Sequence, residues 1–240
     1  MSLNAKDYKQ ESKFETPAPL EAGTYPARVV QVISLGLQKQ QPYKGEPKPP
    51  KDDLYVTYEL LDEFLLDEDG EEDLTKPRWQ SETFPMNSLD SDLAKSTKRY
   101  LAIDPTMAHD GDWAELIGAA CMVTLVQNPG KGNNSERIFN NVASVQTMRT
   151  KEASKASPLV NKGKVFDISS PDMEVFFALP KFLQDKMKGN LNFAGSALEK
   201  ATEAHGEGPG GGTTQKEEKP PQEGVQEVSE DSEEEDDEGW

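Results

Sequence analysis

Apolar residues recur at every second position in several separate stretches of this chain, and between the third and the fourth of them the spacing changes to that of a helix. A period of two marks a strand with one buried face, so the pattern predicts a mainly β domain. The first stretch, LEAGTYPARVVQVISLGLQKQ, places Tyr25, Ala27, Val29, Ile33 and Leu35 on one side. QPYKGEPKPPK follows, and its prolines, glycine and lysines exclude a strand interior and mark an exposed loop. DDLYVTYELLDEF supplies a second strand, with Leu54, Val56, Tyr58 and Leu60 on one side and Tyr55, Thr57 and Glu59 on the other. After a turn at Asp69-Gly70, PRWQSETFPMN reads as the third.

DSDLAKSTKRYLAID then takes the helical period. Asp90 or Ser91 would cap it, Leu93, Thr97, Tyr100 and Leu101 form one face, and Lys95, Lys98 and Arg99 point away from that face. DWAELIG is a short helix stopped by Gly118. AACMVTLVQN and SERIFNNVASVQTM are the last two strands, joined by the turn NPGKGNN. Five strands with helix between the third and fourth is the element order of an OB-fold. The sequence therefore predicts a five-stranded OB-fold barrel over residues 20–149 with inserted helices, preceded by a flexible arm at 1–19.

Beyond the last strand the pattern changes. TKEASKASPLVNKGK reads as a polar linker, and SSPDMEVFFALPKFLQDKMKGNLNF as a helix with Ser170 as cap, Pro171 in its first turn and Gly189 as its stop. Its apolar residues Val175, Phe176, Leu179, Phe182, Leu183 and Met187 need a surface, either the barrel or a second copy. Residues 150–201 are thus a linker and helical appendage, and 202–240 a disordered linker with an acidic tail.

Of 240 residues, 34% are hydrophobic, enough for one core but not for two large domains. The lone Cys121 excludes internal disulfides and thiolate zinc clusters. The polar N-terminal stretch and the lack of a long apolar run predict a soluble, intracellular chain without membrane contact. Net charge is −18, but it is segregated. His205 to Trp240 holds thirteen acids and two lysines, Asp62 to Asp73 eight acids and no base, and the remainder is close to neutral.

Catalytic signals are weak. His109 and His205 lie in loop and linker, GKG in NPGKGNNS lacks the spacing of a phosphate loop, and DEDGEED does not match a calcium loop. No enzyme, metal site or cofactor is expected. Binding of single-stranded nucleic acid asks instead for cations along a phosphate backbone and flat rings on which bases stack. Lys39, Lys44, Lys48 and Lys51 surround Tyr43 in the loop after the first strand. Arg78 and Trp79 open the third strand, and Lys131, Arg137 and Phe139 flank the final hairpin. Tyr55 is a further stacking candidate. Lys39, Lys44, Lys48, Lys51, Arg78 and Lys131 would neutralise phosphates, while Tyr43, Tyr55, Trp79 and Phe139 would stack.

The tail closes in EVSEDSEEEDDEGW. An indole among carboxylates offers negative charge plus a π-face, which is what a DNA strand offers. Through a linker of roughly 25–30 residues spanning on the order of 30 Å, such a tail could occupy a basic groove until DNA displaced it, or dock on a partner.

An OB-type core, an acidic tail and a terminal aromatic together resemble the single-stranded DNA-binding proteins encoded by bacteriophages. LEAGTYPARVVQVISLG, the Pro/Lys loop with DDLYVTYELLDEF, and DWAELIGAACMVTLVQN with RIFNNVASV carry the likeness, which covers residues 20–148 and the tail. The resemblance implies a protein that coats single strands in DNA replication, recombination and repair, in the cytoplasm of an infected bacterial host. It also implies homodimers and a tail that recruits replication proteins such as polymerase or helicase-primase. The family's tail maps onto Glu233, Glu234, Glu235, Asp236, Asp237, Glu238 and the terminal Trp240; no DNA-contacting residue is carried over. Segment 170–198 departs from the family pattern. Two other readings fit the same residues: an interaction adaptor whose tail mimics DNA, and a virion structural protein assembling through 170–198.

Overall fold

The computed structural model describes residues 17–67, 69–130 and 132–206. Strand β1 (Gly23–Gln38) organises it. Along one edge β1 pairs with β2 (Lys51–Leu66), which pairs in turn with β3 (Glu72–Pro85). Its other edge is shared: residues 23–28 pair with β4 (Ala120–Pro129), and Gln31, Val32 and Ile33 with a short β6 (Lys164–Phe166). β5 (Ile138–Thr147) pairs with β4, giving the order β3-β2-β1-β4-β5 with β6 beside β1. All ladders are antiparallel except β1–β6, which is parallel.

The alternation in β2 holds as read: Leu54, Val56, Tyr58 and Leu60 all enter one core. The reading of β1 needs correction. Ala27 and Val29 join that core, but a register shift between Val29 and Gln31 reverses the phase of the strand. Val32 then faces the first core, while Ile33 and Leu35 face a second one on the opposite side of the sheet. A second shift, between Ser34 and Gly36, places Gly36 at a φ of +73°, where glycine carries no steric penalty.

The sheet is open. β3 and β5 end the strand order, and among the described residues no ladder joins them, although some of their Cα atoms approach within 8 Å. Helix α1 (Lys95–Ile103) fills that seam, with only part of the face expected. Thr97 and Tyr100 of that face are buried as read, but Leu93 lies before the helix and is 76% exposed, Leu101 is exposed too, and Arg99 and Ile103 are buried in their place. Ala94, not Asp90 or Ser91, occupies the cap position, without a side-chain bond. The reason is tertiary: Arg99 finds a carboxylate and a carbonyl inside the seam that its sequence neighbours do not announce.

Residues 150–206 are more than a linker with one helix. α2 (Thr150–Ala153) is followed by a strap held by Arg28, whose guanidinium donates to the carbonyls of Ser157 (2.7 Å), Ala156 (3.1 Å) and Gly118 (2.6 Å). The expected long helix is two, α3 (Met173–Ala178) and α4 (Lys181–Lys188), because Pro180 cannot donate within a continuing helix. Asp172 rather than Ser170 caps α3, accepting from the amides of Glu174 and Val175, and Gly189 ends α4 as read. α5 (Ala197–Ala204) continues past the boundary placed at 201. Phe166, Phe176, Leu179, Leu183, Met187 and Leu198 pack with Ile33, Leu35 and Tyr55, so the appendage docks on the chain's own sheet. Burying each such side chain contributes roughly 1.5–3 kcal/mol.

The N-terminal segment is tied at Leu20, whose amide donates to Asn140 Oδ1 (2.7 Å) and whose carbonyl accepts from Asn140 Nδ2 (2.8 Å) and Gln127 Nε2 (2.8 Å). An amide side chain here imitates one rung of a ladder. No helix among the described residues is long and apolar enough to cross a membrane. Residues 1–16 of the arm and 207–240 of the tail lie outside the described residues.

Candidate nucleic-acid interface

The loop between β1 and β2 folds into a small hairpin of its own. Tyr43 and Glu46 exchange two backbone bonds of 2.9 Å each, and between them Lys44 (φ +49°) and Gly45 (φ +84°) both adopt positive φ. This is the two-residue type I′ arrangement, which Gly makes cheap at the second position. The flanking prolines at 42, 47, 49 and 50 limit the remaining freedom of the loop.

The hairpin presents an aromatic ring framed by cations. Tyr43 is 49% exposed, with Lys48 Nζ 5.0 Å and Lys44 Nζ 5.3 Å from its ring centroid. Each contact is a cation–π attraction of about 0.5–1 kcal/mol at an exposed site. Lys39 is exposed at the start of the loop. Lys51, at its end, donates to Asn87 Oδ1, a neutral acceptor that leaves the ammonium charge in place.

The base of the loop is fixed. Gln40 Nε2 donates to Asp53 Oδ1 (3.0 Å), and Lys186 Nζ of α4 lies 3.8 Å from Asp53 Oδ2. Gln38 Nε2 also donates to the Lys186 carbonyl (3.1 Å). α4 therefore abuts the lysine loop, an adjacency that local spacing could not reveal. Together, residues 39–53 and 181–188 hold seven lysines against four acids, a basic patch on an acidic chain.

Other candidates are placed elsewhere. Tyr55 is a correction: it is 1% exposed in the second core, with Phe182 edge-on to its ring, so it offers no face to a base. Burial raises its phenol pKa, with hydrogen bonds to Ser81 and Thr57 opposing. Trp79 is half-buried and its Nε1 donates to Glu59 Oε2 at 3.2 Å. It pairs across from Glu59, eight positions from Lys51 and so about 26 Å along the strand. Arg78 is half-buried, donates to the Ala18 carbonyl (2.8 Å) and lies among Glu63, Tyr25 and Asp62 rather than beside the lysines. Burial pushes its guanidinium below the ordinary value, with Glu63 and Tyr25 opposing.

Neither this sequence nor any stretch of it matches a known family model, and no curated protein matches it significantly. The geometry must carry the functional reading by itself.

Arg137 is exposed and Phe139 half-buried at the β4–β5 hairpin; a Cβ added to Gly130 would lie 2.8 Å from the Phe139 ring, so that ring covers backbone. Gly23 at the start of β1 pairs with Leu125, which puts this hairpin beyond one end of β1, while the lysine loop leaves from the other. Lys131 lies outside the described residues, as do Glu233, Glu234, Glu235, Asp236, Asp237, Glu238 and Trp240 of the tail. The structure thus gathers Tyr43, Lys44 and Lys48 at one tip, with Lys39 and Lys51 flanking it in the loop. Arg78, Trp79, Arg137 and Phe139 stand apart. Phe182 reads in the sequence only as an apolar residue in need of a surface, yet it is 45% exposed on α4. A lysine before it and a proline ahead of that were the available signals.

Proposed function

We propose that the chain is a non-enzymatic, sequence-independent single-stranded DNA-binding protein that coats and protects single strands during replication, recombination or repair. One observation carries the reading: Tyr43 is exposed at the tip of a constrained hairpin with two lysines over its ring. A ring so placed can take a base at ~1–3 kcal/mol while the ammonium groups meet the adjoining phosphates. The strand order β3-β2-β1-β4-β5, with α1 between β3 and β4, supports an OB-type reading of the open sheet. The acidic tail would compete for the lysine loop and recruit basic replication proteins.

The test is a titration of labelled oligo-dT and of matched duplex across a salt series, with the full chain and with a chain truncated after Gly206. Salt-sensitive binding to the single strand, tightened by truncation, supports both parts of the proposal. Absence of binding by either chain at low salt overturns it and leaves an interaction adaptor in its place.

A further inference from the structure

We infer that Phe182, on the C-terminal appendage, is a second base-stacking platform beside the lysine loop, which makes α4 part of the single-strand surface as well as a support for the sheet. The inference rests on the single-strand reading above and deepens it.

α4 buries Leu183 and Met187, yet leaves Phe182 45% exposed. The ring is held nonetheless. Tyr55 meets it at 6.1 Å with an interplanar angle of 70°, an edge contact that leaves part of the phenylalanine facing outward. Tyr55 is itself fixed in the second core, where it is 1% exposed. An ordered, half-open ring on a buried support is the arrangement a stacking site needs, because little side-chain freedom remains to be lost on binding.

Position supplies the rest. Asp53 at the loop base joins Gln40 and Lys186, and Tyr55 is two residues further along β2, about 7 Å away. Phe182 therefore lies near the base of the loop whose tip carries Tyr43, Lys44 and Lys48, with Lys181 adjacent to it and paired to Asp185 at 2.9 Å. A protein partner's apolar contact surface is depleted of charged residues at its centre, whereas a strand of nucleic acid calls for rings interleaved with cations. The seven lysines and four acids of these two segments match the second case.

The full chain is titrated with labelled oligo-dT over a salt series, as wild type, Phe182→Leu, Phe182→Tyr and Phe182→Trp, with thermal midpoints in parallel. Phe182→Leu keeps apolar bulk without the π-face, and is expected to weaken binding about tenfold at an unchanged salt slope. Phe182→Tyr stays within about twofold of wild type, since it keeps the ring. Oligo-dT quenches the emission of Phe182→Trp beyond any change in the wild type, a readout that tests the site even where the thermal midpoint shows the leucine variant unfolded. Wild-type binding that neither Phe182→Leu weakens nor Phe182→Trp reports overturns the inference and leaves the single-strand reading standing. A wild type that does not bind overturns both.

Discussion

Arg99 grips Glu82 with two parallel bonds, Nε to Oε1 at 2.9 Å and Nη2 to Oε2 at 3.2 Å, where both side chains are buried. The same carboxylate accepts from Tyr58 Oη at 2.9 Å and lies 3.2 Å from Lys95 Nζ. Arg99 Nη2 also donates to the Ala143 carbonyl at 3.1 Å. One residue of α1 thus bridges β3 and β5, the two strands that end the sheet without pairing. Side-chain bonds stand in that seam where a closed barrel would have a ladder.

Arg99→Met should therefore be costly. It leaves Glu82 buried with only Lys95 and a tyrosine hydroxyl, and it leaves the Ala143 carbonyl without this donor. Removing one partner of a buried pair costs about 3–5 kcal/mol. Lys95→Gln removes a partly exposed partner and should cost no more than ~1 kcal/mol. Urea denaturation of the two variants checks the contrast; equal midpoints would mean that packing, not the ion pair, closes the seam.

How much of this was legible depended on the distance over which each feature is decided. β2 was read correctly because an unbroken period of two fixes which residues face inward. β1 was not, since the register shift after Val29 is set by pairing with Tyr58 and Thr57 on another strand. The Tyr43 hairpin was legible as an exposed loop, because Pro, Lys and Gly decide it locally. Tyr55 was misjudged because what covers it arrives with Phe182, more than a hundred residues later. Arg99 looked solvent-facing for the same reason: its carboxylate comes from an earlier strand.

Glu59 is a second case of a long-range tie. It appeared as the polar alternate of a strand, yet it is fully buried and accepts four bonds. These come from the Val160 amide (2.6 Å), the Asn161 amide (3.2 Å), Asn161 Nδ2 (2.7 Å) and Trp79 Nε1 (3.2 Å). Glu59→Ala strands all four donors, at about 1–3 kcal/mol for each left unsatisfied. The expected outcome is a strap that opens locally: faster hydrogen exchange at 160–161 and a red-shifted Trp79 emission. Unchanged exchange at those amides would show that Arg28 alone holds the strap.

Cys121 gives the fold an alkaline limit. Full burial pushes its thiol up from the ordinary 9.0 to about 12, with Glu82 adding to the shift and Arg28 and Arg99 opposing it. The folded chain holds this proton more tightly than the unfolded chain does. Its contribution is therefore intact below pH 9 and is lost as pH rises through 12. Tyr58, buried beside Glu82, is raised as well and steepens the loss. Denaturation midpoints should hold up to pH 9 and fall beyond it, less steeply in Cys121→Ala. At pH 8 a thiol reagent should label the folded chain only at the rate at which it opens.

The proposed binding surface and the core can be told apart at two tyrosines twelve positions apart. Tyr43 is 49% exposed and belongs to neither core, so Tyr43→Ala should leave the melting temperature in place and weaken oligo-dT binding by ~1–3 kcal/mol. Lys44→Gln and Lys48→Gln should each weaken binding and lower the slope of log affinity against log salt by about 0.7, the value for one phosphate contact on a single strand. Tyr55→Ala should instead lower the melting temperature, and weaken binding only through the support it withdraws from Phe182. It opens a cavity beneath Phe182 in the second core, costing about 3–5 kcal/mol of stability as for other large aromatic truncations. Its salt slope should stay at the wild-type value, because no cation has moved. Melting curves and salt-series titrations on all four variants test this division. A Tyr43→Ala chain that binds like wild type would remove the ring from the interface and leave an electrostatic patch alone.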